Sequence, residues 1–144
     1  MKTRLTLLLS VTAGLALTAS LLLRAEPNAS AAAQAAQLER GRYLVENVGL
    51  CADCHSPRNE KGAFIKEQWL KGAALPFQPT VPMPWSPAAP PIAGLPSMTS
   101  EQAVHFLMTG ERPDGSRPRP PMPEFKLNRA DAEAMVAHLK SLKP

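Results

Sequence analysis

The chain has only two cysteines, one tyrosine and 5% aromatic residues among its 144. Two cysteines exclude the dense disulfide framework with which many small secreted domains replace a core. The scarcity of aromatics leaves few large core side chains, so a group other than side chains must supply buried apolar area. Charge of one sign is also scarce. The net charge is +4, half of it from Lys2, Arg4 and Arg24 against Glu26, and no Lys/Arg stripe with interleaved aromatics occurs. A nucleic-acid partner is therefore not expected. There is no internal repeat and no nucleophile–base pair to suggest group-transfer chemistry.

What the chain does have begins with one long apolar run, Leu5 to Leu23, behind the basic head Lys2 and Arg4. It reads as an export signal. The run exceeds the roughly 7 to 15 residues of an ordinary signal core and approaches the about 20 that span a bilayer. Ala29-Ser30-Ala31 suits cleavage, whereas Arg24 directly after the run suits retention. Residues 1–30 are accordingly expected to be a signal peptide or an N-terminal membrane anchor. Residues 31–144 then form one small domain in the periplasm, soluble or anchored to the inner membrane.

Pro27 to Ala36 reads as an Ala-rich tether passing into a first helix that ends near Val48 and stops at Gly49. Gly41 inside that helix costs about 1 kcal/mol relative to Ala, which implies a packing reason. A second helix starts at Thr99 or Ser100, where Thr99 and Gln102 form a capping-box signature, and stops at Gly110. The last helix opens with Asn128 followed by Asp131, then shows Met135, Val136, Leu139 and Leu142 at helical spacing. Its alanines leave it thin, so that it and the first helix can cross closely at Gly41. Of the 16 prolines, 13 gather in 75–96 and 112–123, which are expected to be stiff, extended loops.

Cys51-Ala52-Asp53-Cys54-His55 carries the chemistry. Two thiols three residues apart reach the two vinyl groups on one edge of a haem, and the next residue, His55, then places its imidazole on the iron. A redox disulfide predicts a βαβ context that the helical, Pro-rich flanks do not offer. A zinc site needs further ligands at finger-like spacing, and a structural disulfide has no use for His55. The second axial position needs something soft or basic, and a methionine thioether there would raise the reduction potential relative to a second His. Met108 and Met135 occupy core-facing helical positions, Met98 adjoins a helix cap and Met1 is in the leader. Met83 and Met122 remain, each in Pro-Met-Pro, where flanking prolines stiffen the backbone.

These residues sit in an ordered set. Gly41-Arg42-Tyr43-Leu44-Val45 precedes the haem motif, Ser56-Pro57-Arg58-Asn59 continues it, and Ala89-Pro90-Pro91-Ile92-Ala93-Gly94-Leu95 follows. Pro121-Met122-Pro123-Glu124-Phe125 then leads to the last helix. From about Gly41 to Leu142 the chain resembles the class I c-type cytochromes, and among them the haem modules associated with bacterial periplasmic dehydrogenases. The resemblance implies an all-α fold of three to four helices around one covalently bound haem c, joined by Pro-rich loops. It implies that the ligand methionine lies in the loop before the last helix, hence Met122 rather than Met83. It also implies that the carbonyl of Pro90 accepts the free ring N–H of His55, fixing the ring and raising its basicity. His138 stands where that family usually has Tyr, and reads as a packing residue.

The function so implied is periplasmic electron transfer, the haem iron cycling between ferrous and ferric states with both axial ligands retained. Redox protein partners would be a periplasmic dehydrogenase as donor and a terminal oxidase or reductase as acceptor. One alternative is a cytochrome subunit of a dehydrogenase complex. Another is a peroxidase-like haem enzyme, which needs an acid–base residue over an open iron, with His105 the spare candidate. One of Arg112, Arg117 and Arg119 is expected to pair with a haem propionate while the others stay solvated, and Trp69 and Trp85 are expected to pack over the ring edge, where an indole N–H could also donate to a propionate. Replacing Cys51 or Cys54 by Ser is expected to leave one thioether. The double replacement abolishes covalent haem, as read by haem staining after denaturing electrophoresis, and haem surviving there overturns the attachment.

Overall fold

The computed structural model describes residues 26–144, with side chains from Ala29 onward, so the expected signal or anchor lies outside the described residues. The chain divides into units Met1–Ala36 and Gln37–Pro144, and the architecture that follows is that of the second. Among the described residues no helix is long and apolar enough to cross a membrane.

Helix α1, Glu26–Tyr43, includes the Ala-rich stretch expected as a tether, in keeping with alanine's high helix propensity. It does not end as a regular helix. Leu44–Val48 widens into a π-helical turn, and the Gly49 N–H donates to Leu44 O at 2.7 Å, five residues back. The short α2, Ala52–His55, comes next. A pair of two-residue antiparallel strands then joins the helices: β1, Ala73–Ala74, and β2, Ala88–Ala89, with Ala73 opposite Ala89. Helix α3, Ser100–Thr109, is capped by Thr99 and Gln102 in both directions of the capping box and ends at Gly110 with φ +77°. In α4, Arg129–Ser141, the Asn128 side chain accepts from the Asp131 N–H as the sequence suggested.

The core joins Leu44 and Val45 to Val104 and Leu107 of α3 and to Ala134, Met135 and Leu139 of α4. Its defining contact is backbone against backbone. A Cβ added at Gly41 would lie 1.9 Å from Ala134 O, a separation no side chain permits. The crossing of α1 and α4 thus requires glycine at position 41. On the surface Arg40 pairs with Asp131 at 2.8 Å across the same crossing, a contact that contributes little because water screens it.

His138 closes the crossing beside Gly41. It is 8% exposed, and its Nε2 is buried without a hydrogen-bond partner among the described residues. Burial is the main cause that holds its pKa below the ordinary value; Glu46 opposes it, and Arg42 and Glu39 act more weakly in opposite senses.

Two outcomes follow. In an exposed helix Gly→Ala would stabilise, but Gly41→Ala should destabilise the holoprotein by about 3 kcal/mol in urea unfolding, because Ala134 O cannot yield without parting the helices. The unfolded chain protonates His138 before the folded one does. Stability from this group is therefore complete above about pH 6.5 and falls as pH drops through the depressed folded value, by at most about 1.4 kcal/mol per pH unit. Urea unfolding of wild type and His138→Leu at pH 7 and pH 5 checks this: the variant should lose less stability on acidification.

Candidate cofactor site

The site begins where α1 ends. A side chain at Gly49 would press on Leu44 O at 3.2 Å and on the Cys51 Sγ at 3.3 Å, so glycine lets the chain fold tightly back. Leu50 then takes a left-handed φ of +48°, which turns the backbone into α2. That single helical turn holds Cys51, Cys54 and His55 together, the Cys51 carbonyl accepting from the His55 N–H at 2.9 Å. No disulfide joins Cys51 to Cys54.

After His55 the chain leaves in extended conformation and is gripped at Ser56, whose Oγ accepts the Leu70 N–H at 2.7 Å. Leu70 is fully buried with φ +57°, and its carbonyl accepts the N–H groups of Ile92 and Ala93. Two residues on, the Gly72 N–H donates to His55 O at 2.8 Å, and the Ala73–Ala89 pairing follows immediately. These bonds bring Pro90 over the imidazole, with His55 Nδ1 2.7 Å from Pro90 O. The carbonyl has no proton, so Nδ1–H is the donor and Nε2 keeps its lone pair.

Cys51, Cys54, His55, Pro90 and Met122 all line one cavity of about 410 Å³, a volume within the roughly 300 to 1,000 Å³ of cofactor sites. Its walls are Ala103, Phe106 and Leu107 of α3 and Met135 and Leu139 of α4, and Arg112, Arg117 and Arg119 also border it. Burial pushes the Cys51 thiol up to about 11 and raises Cys54 too, with Asp53 adding to the latter. Burial likewise lowers the His55 pKa, against the opposing pull of the Pro90 carbonyl. At neutral pH the site offers uncharged sulfur and neutral imidazole in apolar surroundings. That donor set fits a covalently held haem with a nitrogen ligand and room for a thioether sulfur.

Residues 38–143 match the family described as Cytochrome c. The chain belongs to the cytochrome c family. Membership implies covalently bound haem c and haem-based electron transfer. The mostly helical architecture accords with the class I fold. Over 38 residues, 26% of the chain, it is 55% identical to a diheme cytochrome c-type protein of Cereibacter sphaeroides, of which the match covers 13%. Over 114 residues, 72% of the chain, it is 32% identical to a fructose dehydrogenase cytochrome subunit of Gluconobacter japonicus, of which 21% is covered. The chain thus spans about a fifth or less of the length of these relatives.

Among the remaining candidates of this cytochrome, Met83, both tryptophans and His105 fall away from the cavity. Met83 is 44% exposed and does not line the cavity. The Trp85 indole N–H donates to Phe77 O at 3.3 Å, with the two rings edge to face, and Trp69 packs edge-on to Phe64. His105 is exposed on the outer side of α3, in a groove shared with Glu133 and Lys140. Arg117 pairs with Glu124 at 2.7 Å, whereas Arg119 makes no ion pair among the described residues. Sequence reasoning set Met98 aside, yet it also lines the cavity. It overlooked Ser56, Leu70 and Gly72 because their role depends on partners far along the chain.

Proposed function

We propose that the protein is a periplasmic monohaem electron carrier in which Cys51 and Cys54 form the thioethers and His55 and Met122 are the axial ligands. Haem c, when bound, supplies reversible one-electron chemistry; the chain anchors it, fixes its axial ligands and excludes water. The observation that supports the reading is the convergence of Cys51, Cys54, His55 and Met122 on a single apolar cavity. One haem rather than two is favoured because the chain contains only two cysteines, both in the one motif. Pro90 acts through His55, its carbonyl holding the ring by the 2.7 Å contact. Arg112 and Arg119 at the cavity border supply positive charge for the carboxylates of the macrocycle.

Similarity to a fructose dehydrogenase cytochrome subunit supports a dehydrogenase as electron donor; the acceptor in this reading is a terminal oxidase or reductase. Residues Leu5 to Leu23 support export and leave the protein soluble or anchored at the inner membrane. The peroxidase-like alternative would require an acid–base side chain facing the iron, and His105 does not line the cavity.

Met122→Ala tests the assignment against its neighbours. It should abolish the weak far-red absorption of the ferric protein and admit carbon monoxide to the ferrous one. It should also lower the reduction potential by on the order of 100 mV, a fraction of the roughly 0.8 V over which axial ligands tune haem. Met83→Ala and Met98→Ala should leave all three properties nearly unchanged. Transfer of the effects to Met98→Ala would move the ligand to the start of α3, and native protein that already binds carbon monoxide would favour an enzyme.

A further inference from the structure

We propose that Gly72 is a positioning residue for the axial histidine: the absence of a side chain at 72 lets the Pro90 peptide come close enough for its carbonyl to hold the His55 ring. The proposal rests on the reading of His55 as an iron ligand and adds to it the residue that sets the ligand's hydrogen bond.

Gly72 touches both partners of that bond. Its N–H donates to the His55 carbonyl at 2.8 Å, which ties it to the backbone of the ligand. On its other side a Cβ would lie 2.9 Å from Ala89 O, 3.0 Å from Pro91 N and 3.1 Å from Pro90 C, all backbone atoms of the segment that presents the accepting carbonyl. Backbone cannot swing aside as the tip of a flexible side chain can. Pairing of Ala73 with Ala89 and the bonds from Ile92 and Ala93 to Leu70 hold that segment on both flanks of Pro90. A methyl group at 72 must therefore either push the Pro90 peptide away from His55 or pull Gly72 off the His55 carbonyl, and each lengthens the 2.7 Å contact.

Conformation alone does not explain this glycine. Its φ of +88° favours glycine, but Gly62 has φ +77° and a Cβ there would meet nothing within 4 Å. Gly62→Ala thus carries the same kind of backbone strain without touching the site, and serves as the control.

The consequence is electronic. A carbonyl accepting Nδ1–H makes the imidazole a stronger donor and so stabilises the ferric state; weakening that bond shifts the couple toward ferrous. Three haem-loaded proteins decide the matter: wild type, Gly72→Ala and Gly62→Ala, each measured by redox titration and by proton NMR of the His55 Nδ1–H in the ferrous state. Gly72→Ala should shift the reduction equilibrium toward ferrous by about tenfold, equivalent to about 59 mV for one electron, and speed exchange of the Nδ1 proton. Gly62→Ala should do neither. An unshifted Gly72→Ala, or an equal shift in Gly62→Ala, overturns the proposal. Should Gly72→Ala fail to assemble, Ser56→Ala replaces it, since it frees the Leu70 N–H two residues upstream. A smaller shift in the same direction is then expected, and no shift is the overturning result. Wild-type protein without covalent haem would overturn the functional reading itself, whereas wild type with haem and unshifted variants overturns only the role of Gly72.

Discussion

The contact on which the rest depends is the meeting of backbones at Gly41 and Ala134. Because no Cβ separates the helices there, α4 turns Ala134 and His138 toward Gly41 and leaves Met135 and Leu139 to face the cavity. The same crossing buries Leu44 and Val45, which lie in the widened turn at the end of α1. One additional residue in that turn rotates everything after it by about 100° relative to a regular helix. Gly49 and Leu50 then complete the reversal that aims Cys51 and His55 inward. A requirement for two helices to touch thus becomes a requirement on where two thiols and an imidazole sit.

The composition makes the same cavity a matter of stability as well as chemistry. With so few aromatic residues, α3 and α4 cannot fill the space between them and the α2 turn from side chains alone, and their apolar faces converge on it instead. A flat apolar macrocycle joined at Cys51 and Cys54, as proposed, would add buried area that the sequence otherwise lacks, and whatever the native state alone binds adds to its stability. Folding and haem retention are therefore coupled, and substitutions at the helix crossing act on both.

Much of this was legible in the sequence where the cause is local. Thr99 with Gln102 and Asn128 with Asp131 are caps whose partners lie three residues apart, so their pattern reads directly from the chain. Gly41 was legible because a glycine within a helix needs a reason, and the thin alanine face of α4 offered one. The haem motif is equally compact. What escaped has remote causes. The widening at Leu44–Val48 is imposed by the crossing and by the turn after it rather than by helix propensity. The pairing of Ala73 with Ala89 joins two-residue strands too short for any alternation to announce. Gly72 looked like any glycine in a loop, and Met98 looked like part of a cap, because their neighbours are set only by the folded chain.

Backbone strain follows the same geography. Among the described residues, three non-glycine positions have left-handed φ: Leu50 at +48°, Leu70 at +57° and Leu95 at +50°. Such conformations cost about 1 to 3 kcal/mol each and persist only where the surroundings over-determine them. Leu50 leads into Cys51 and Leu95 lines the cavity. Leu70 lies between them as the residue whose N–H meets Ser56 and whose carbonyl meets Ile92 and Ala93. All three are leucines, which gain nothing from the left-handed region by themselves, so the cost is offset by what their placement secures. For Leu70 the compensation is visible: complete burial of its side chain, two backbone–backbone hydrogen bonds and one to the Ser56 hydroxyl, which together fix the segment bearing Pro90 against His55. Two of the three positions line the cavity and the third fixes the segment that bears Pro90, so the fold concentrates its rigidity around the site. A centre that must change charge by one electron without rearranging its ligands requires rigidity at that place.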